Sequence, residues 1–231
     1  SRTSSPAAAP PVADRENAGG AFTEGFHDFM ITRGGLTVVP QLTVDGAAAP
    51  VDGRPIQSGL PELDTLLGGG LSWGTTTLLI GPAGVGKSTV AAQCLCGAAN
   101  PGPKAAGFLF DERVKTFVTR CDALGMQASD RIASGHLIVQ QVDPGVTSPG
   151  ALSHRVKRRV DEQGVCLIGI DTLNGCPNAV PTTDMPIVRM HELLTLHNER
   201  GVATQILGSA TDITERKRAE KALRDTNSML Q

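Results

Sequence analysis

The sequence predicts an α/β fold in which a mostly parallel sheet is flanked by helices. From residue 58 onward, short uninterrupted apolar segments alternate with helix-like segments, which is the pattern of parallel strands covered on both faces. The core must be largely aliphatic, because 40% of the residues are hydrophobic and only 3% are aromatic. No internal repeat interrupts this alternation.

The elements follow from where each apolar segment begins and ends. The predicted strands of the main domain are 76–80, 107–110, 136–142, 166–170 and 202–207. The helices between them are predicted at 88–99, 113–124, 152–163 and 185–200. The last of these helices has apolar side chains at near-helical spacing, from Ile187 to Leu194.

Composition and turn residues divide the chain into five segments. Residues 1–20 are rich in Ser, Ala, Pro and Gly and are predicted to be disordered. Residues 21–45 are predicted to form a β-hairpin around Arg33-Gly34-Gly35, residues 46–57 a linker, and residues 58–210 the main domain. The segment 211–231 is predicted to be a C-terminal helix, because Asp212 and Glu215 have the spacing of a capping box.

Charge and hydropathy exclude several classes of function. The formal net charge of −2 provides no general attraction to nucleic acid or to an anionic membrane. A cluster of basic residues at 155–159 is followed by Asp161 and Glu162, which favours a solvated helix face. No apolar segment is long enough to cross a bilayer, and no signal peptide is evident. We therefore expect a cytoplasmic protein without nucleic-acid or membrane partners.

A phosphate-binding motif lies between the first predicted strand of the main domain and the helix that follows it. Residues 81–88 fit G-x-x-x-x-G-K-[ST], the P-loop or Walker A pattern, in which backbone N–H groups and the helix N-terminus surround phosphate oxygens. The alternative, a glycine-rich turn with a chance lysine, does not explain this position between strand and helix. The sequence therefore predicts ATP and Mg²⁺ as ligands. The predicted nucleotide-binding residues are Gly81, Pro82, Ala83, Gly84, Val85, Gly86, Lys87, Ser88 and Thr89.

Three carboxylates follow two of the predicted strands. Asp171 ends the strand 166–170, as a Walker B aspartate would, so Ser88 and Asp171 are the predicted Mg²⁺ ligands; the alternative for Asp171 is a helix or turn cap. Asp111 and Glu112 end the strand 107–110 and are candidates for polarising the attacking water. Because strand side chains alternate, we expect only one of these two to face the nucleotide, and the longer reach of Glu112 favours it.

Beyond these motifs, the chain resembles the KaiC-like branch of the RecA-type P-loop ATPases, the family of the circadian clock protein KaiC. The segments that carry the resemblance are 58–71, 108–113, 170–175 and 191–195, together with the hairpin near 26–40. The resemblance implies phosphate contacts from Gly84, Gly86, Lys87 and Ser88, a magnesium carboxylate at Asp171 and a catalytic acid at Asp111 or Glu112. It also implies ring assembly, usually as hexamers with ATP between subunits, and slow hydrolysis or autophosphorylation.

The C-terminal part departs from that family. Members continue past the strand at 202–207 with strands that provide a basic finger and, in autokinases, the phosphorylated residue. Residues 208–220 instead resemble the exit segment of PAS sensor domains in bacterial signalling kinases. We therefore expect a truncated ATP-binding module that is at most a slow ATPase and acts as a regulatory switch, without autokinase activity. The alternative is a non-hydrolysing signalling fragment that couples to a histidine-kinase-type partner through its C-terminal helix.

Overall fold

A computed structural model of the chain describes residues 12–13, 26–32, 34–39, 53–82, 84–99, 103–143, 145, 147–171 and 202–209. The predicted helices at 185–200 and 211–231 lie outside these residues. In the part of the chain that is described, no helix is long and apolar enough to cross a membrane.

The N-terminal region forms a small antiparallel sheet of three strands, β1 (Val12–Ala13), β2 (Phe26–Thr32) and β3 (Gly35–Val39). β2 and β3 form the predicted hairpin, and Met30 pairs with Thr37 in its centre. Gly35, at the start of β3, has φ +111°, which L side chains rarely adopt, so a glycine suits this turn. β1 lies within the segment 1–20 that the composition predicts to be disordered, and it pairs with the start of β2.

The main sheet has five parallel strands, which confirms the predicted α/β class. These strands are β4 (Thr76–Gly81), β5 (Lys104–Leu109), β6 (Leu137–Gln141), β7 (Val165–Asp171) and β8 (Ala203–Ser209). Their spatial order is β4-β8-β7-β5-β6, so β8 separates the P-loop strand from the strand that ends at Asp171. All neighbouring pairs run parallel, which places every carboxyl end at one edge.

Five helices are described: α1 (Pro61–Leu66), α2 (Lys87–Ala98), α3 (Val114–Ala123), α4 (Ala128–Ala133) and α5 (Pro149–Gln163). α5 begins three residues before its predicted start, because the Ser148 hydroxyl accepts a hydrogen bond from the Ala151 N–H and Pro149 suits the first helical turn. It ends before Gly164, which has φ +66°. The short helices α1 and α4 were not predicted from the sequence.

The sheet separates two apolar cores. On one face α2, α3 and α4 pack against alternate residues of β5 and β7, among them Ala105, Leu109 and Leu167. On the other face α5 covers Phe108, Ile168 and Ile170. Leu95 of α2 sits so close to β7 that a Cβ at Gly169 would approach its Cδ1 to 2.8 Å, so the glycine lets the helix contact the sheet. This packing fixes α2, and with it the P-loop, against the centre of the sheet.

Candidate functional site

The site lies at the carboxyl edge of the main sheet, where an open parallel sheet binds its ligands. Gly81 at the end of β4 pairs in register with Ser209 of β8, and Asp171 at the end of β7 pairs with Leu109 of β5. Immediately beyond β5, the Phe110 N–H donates to the Asp171 carbonyl at 2.7 Å. The topology thus brings the P-loop, Asp171 and the residues after β5 to the same edge.

The P-loop has the conformation that its glycines allow. Gly84 has φ +82° and Gly86 has φ +90°, a region in which any other residue would be strained. α2 begins directly at Lys87, with Gly86 as its N-cap and no capping side chain, so its N-terminus presents backbone N–H groups and the positive end of the helix dipole. Ala83 lies outside the described residues. This end of α2 suits a phosphate group.

Lys87 lies over the loop that precedes it. Its Nζ donates to the carbonyl oxygens of Gly81 and Pro82, both at 2.7 Å. Neutral acceptors therefore hold the ammonium at the P-loop. Phosphate oxygens are stronger partners for this cation than backbone carbonyls, because both groups of that pair are ionised.

Ser88 and Asp171, the predicted magnesium ligands, lie close together. The Ser88 hydroxyl lies close enough to the Asp171 carboxylate to stabilise its charged form. Burial raises the pKa of Asp171, the Ser88 hydroxyl opposes that rise, and the nearby Glu112 adds to it. Among the described residues, Asp171 Oδ1 is buried without a hydrogen-bond partner.

This donor set fits Mg²⁺, which prefers oxygen ligands and is usually held by one or two protein groups together with water and substrate phosphates. A buried carboxylate oxygen without a donor is poorly stabilised in its charged form, and a divalent cation would supply the missing positive charge. The residues present therefore fit the ion that the P-loop motif implies.

Asp111 and Glu112 differ in exposure and in contacts, and strand alternation is not the cause. β5 runs over Lys104–Leu109 rather than 107–110, so both carboxylates follow the strand in a bend and the alternation argument does not apply to them. Asp111 is exposed. Glu112 is half-buried, and Arg120 of α3 donates to both of its oxygens, from Nε to Oε1 at 3.1 Å and from Nη2 to Oε2 at 2.8 Å.

Arg120 is the residue of this site that sequence reasoning missed. Its guanidinium lies 5.5 Å from the centroid of the Phe117 ring, and its hydrogen bond to Glu112 raises its already high pKa. Its Nη1 is buried without a partner among the described residues. Glu112 precedes the helix and Arg120 lies eight positions later, so no helical i,i+4 spacing signals the pair.

Comparisons with known proteins identify the family of the chain. A family model described as "ATPase: KaiC" matches residues 56–225. The chain belongs to this family. The match begins at Ile56, within the predicted linker, where the structure has a buried residue whose N–H and C=O both hydrogen-bond Leu71 at 2.8 Å. It also extends into the segment predicted as a C-terminal helix.

Similar curated proteins include a KaiC protein and two RadA proteins. "Circadian clock protein KaiC2" of Synechocystis sp. is 24% identical over 164 residues, which cover 67% of this chain and 29% of that protein. "DNA repair protein RadA" of Brucella abortus is 31% identical over 104 residues, covering 45% and 22% respectively. RadA of Mycobacterium tuberculosis is 39% identical over 72 residues, covering 31% and 15%. The chain thus spans less than a third of the length of each of these relatives.

Membership of the KaiC family, together with the observed sheet, confirms the predicted RecA-type P-loop ATPase fold. It also indicates nucleotide binding by this chain. The roles of individual residues in that binding rest on the geometry described above.

Proposed function

We propose that this KaiC-family domain binds ATP with Mg²⁺ and hydrolyses it slowly. The observation that carries the proposal is the position of Ser88, at the start of the P-loop helix, near Asp171, whose Oδ1 is buried and without a partner among the described residues. A helix end that suits phosphate and a carboxylate that suits a cation thus lie side by side. That combination is what a nucleotide triphosphate with its magnesium ion requires.

Each group of residues has a separate role in the proposed hydrolysis. The backbone N–H groups of the loop and the Lys87 ammonium would hold the phosphates, while Ser88 and Asp171 would hold Mg²⁺, which would neutralise phosphate charge. Glu112 accepts a proton from the water that attacks the γ-phosphorus. As the new P–O bond forms, the bond to the β-phosphate oxygen breaks, giving ADP and inorganic phosphate.

We assign the general base to Glu112 rather than Asp111 because Arg120 holds the Glu112 carboxylate close enough to Asp171 for the two charges to interact. Asp111 also influences Asp171, but more weakly, and its side chain is exposed. A base in a fixed position beside the magnesium carboxylate is the better candidate, because proton abstraction needs hydrogen-bond reach to the water.

A regulatory role is the broader proposal. The likeness to a protein named for the circadian clock supports a role as a regulatory switch, and the family resemblance implies slow hydrolysis and ring assembly. The alternative is a non-hydrolysing fragment that couples residues 211–231 to a histidine-kinase-type partner. The pair Glu112 and Arg120 favours hydrolysis, since a domain that only binds ATP does not need a positioned carboxylate beside the magnesium site.

Steady-state hydrolysis by the full chain tests this assignment. We expect Glu112→Gln to lower kcat by roughly 10²–10³-fold, in line with the loss of a general base, while the affinity for a fluorescent ATP analogue stays within about twofold. Asp111→Asn is the matched control, because it removes one charge from the adjacent residue, and it should retain most of the activity. Equal losses in the two variants would contradict the choice of Glu112, and equal turnover by wild type and Glu112→Gln would contradict its catalytic role.

A further inference from the structure

We propose that Arg120 is a positioning residue for hydrolysis: it holds the Glu112 carboxylate in the orientation from which that group accepts a proton. The inference rests on the proposed ATPase function and extends it to a residue outside the nucleotide motifs. It starts from the two-point contact between the Arg120 guanidinium and the Glu112 carboxylate.

This contact fixes direction as well as distance. Nε and Nη2 of Arg120 donate to different oxygens of Glu112, at 3.1 and 2.8 Å. A planar guanidinium that meets both carboxylate oxygens orients the plane of the carboxylate, which one ammonium–carboxylate contact cannot do. The side chains are only 27% and 21% exposed, so water competes with the pair less than at an open surface.

Arg120 is itself anchored to the core. It lies on α3 one turn after Phe117, whose side chain is buried at 2% exposure within the core between α2, α3 and the sheet. The guanidinium lies over the Phe117 ring at 5.5 Å, a distance at which a cation and an aromatic face attract. Through Arg120, the packed helix α3 therefore holds a carboxylate that lies outside any strand or helix.

Glu112 needs this support because of where it lies. It follows β5 in a bend, so no backbone ladder holds it, and a free glutamate side chain can adopt many rotamers. The contact leaves the carboxylate able to act, because each oxygen carries a second lone pair beyond the one that Arg120 occupies. Arg120 therefore orients the base and does not block it.

The test is a double-mutant cycle on the full chain, measured as ATP hydrolysis with kcat and KM determined separately. We expect Arg120→Ala to lower kcat by roughly 10–100-fold and to leave KM within about twofold, since a small misplacement of a reacting group can cost this much. Arg120→Lys keeps the charge and one donor, so it should recover part of the loss. Lys115→Ala, which removes an exposed cation from the same helix, is the matched control and should behave as wild type.

The decisive arm is the Glu112→Gln background. If Arg120 acts through Glu112, adding Arg120→Ala there should lower kcat by less than about threefold, because the group that it orients is already disabled. A further loss of tenfold or more would overturn the proposal, as Arg120 would then act by another route. Wild-type kcat in both Arg120 variants would also overturn it.

Two more readings separate this inference from the proposed function. If thermal unfolding shows that Arg120→Ala does not fold, kcat of Arg120→Lys is compared with that of wild type. Equal kcat values would overturn positioning by the two-point contact. If Glu112→Gln loses activity but the Arg120 variants do not, only the inference fails. If wild type binds ATP without hydrolysing it, the proposed ATPase fails and the inference fails with it.

Discussion

Gly97 is the point at which the P-loop helix α2 meets the segment that precedes α1. A Cβ built on Gly97 would lie 1.9 Å from the carbonyl oxygen of Ser58 and 2.6 Å from the N atom of Gly59, both backbone atoms. Ordinary contacts begin at 3.4 Å, so Gly97→Ala requires α2 and this segment to separate by about 1.5 Å. No side-chain rotation can provide that space.

The separation should break the polar contact that joins the two segments, in which Gln93 of α2 donates to the Ser58 carbonyl at 2.9 Å. It should also disturb the bond from the Ser58 N–H to the buried Asp64 carboxylate of α1, at 2.8 Å. Overpacking typically costs about 1–3 kcal/mol, and a backbone clash belongs at the upper end of that range. Alanine in place of glycine within a helix returns up to about 1 kcal/mol. The net loss is therefore about 2 kcal/mol.

Thermal unfolding of the nucleotide-free protein measures this loss. For a chain of this size, a loss of about 2 kcal/mol corresponds to a decrease in Tm of roughly 4–8 °C. Gly53→Ala is the control, because a Cβ there meets nothing within 4 Å, and its Tm should not change. A Tm for Gly97→Ala at or above the wild-type value would refute the close approach of α2 to Ser58.

Three further predictions concern stability and assembly. Asp171→Asn should raise the Tm of the nucleotide-free protein, because it removes a carboxylate whose charged form burial disfavours. It should also abolish the increase in Tm on addition of Mg²⁺-ATP, and an unchanged increase contradicts the ligand role. Burial raises the pKa of Cys166 from 9.0 to about 11. The contribution of the neutral thiol to the free energy of unfolding is therefore complete below pH 9 and is lost as the pH rises through 11. Cys166→Ala should therefore show a smaller loss of urea resistance between pH 8 and 10.5, and an equal loss argues against this cause. Deleting residues 212–231 should weaken self-association, measured by light scattering, without changing ATP affinity; loss of ATP binding would assign this segment to the core.

The sequence predicts element boundaries correctly where a functional motif and the pattern of apolar residues mark the same position. Residues 81–88 predict a loop between strand and helix, and β4 and α2 begin and end within one residue of the predicted limits. β7 also agrees, because its apolar residues end at a single carboxylate, Asp171. In these places local pattern and tertiary role require the same residues.

The sequence was insufficient where contacts are non-local. β5 begins three residues before its predicted start because Ala105 and Ala106, small residues with weak strand preference, are buried between two helical layers. α1 and α4 have six residues each, too few for a periodic signal. The pairing of Arg120 with Glu112 depends on how α3 folds back after β5, which no spacing along the chain encodes.

The affinity of the full chain for a fluorescent ATP analogue, with and without Mg²⁺, tests the central claim most directly. Lys87 is the one lysine of residues 81–88. It donates to two carbonyls of the loop, and in the complex its ammonium should move to phosphate oxygens. We expect wild type to bind with a clear Mg²⁺ dependence, Lys87→Ala to lose at least about 100-fold in affinity, and Lys115→Ala to bind as wild type. Equal affinity in wild type and Lys87→Ala, or binding that is indifferent to Mg²⁺, would contradict the assignment of this edge as a Mg²⁺-ATP site.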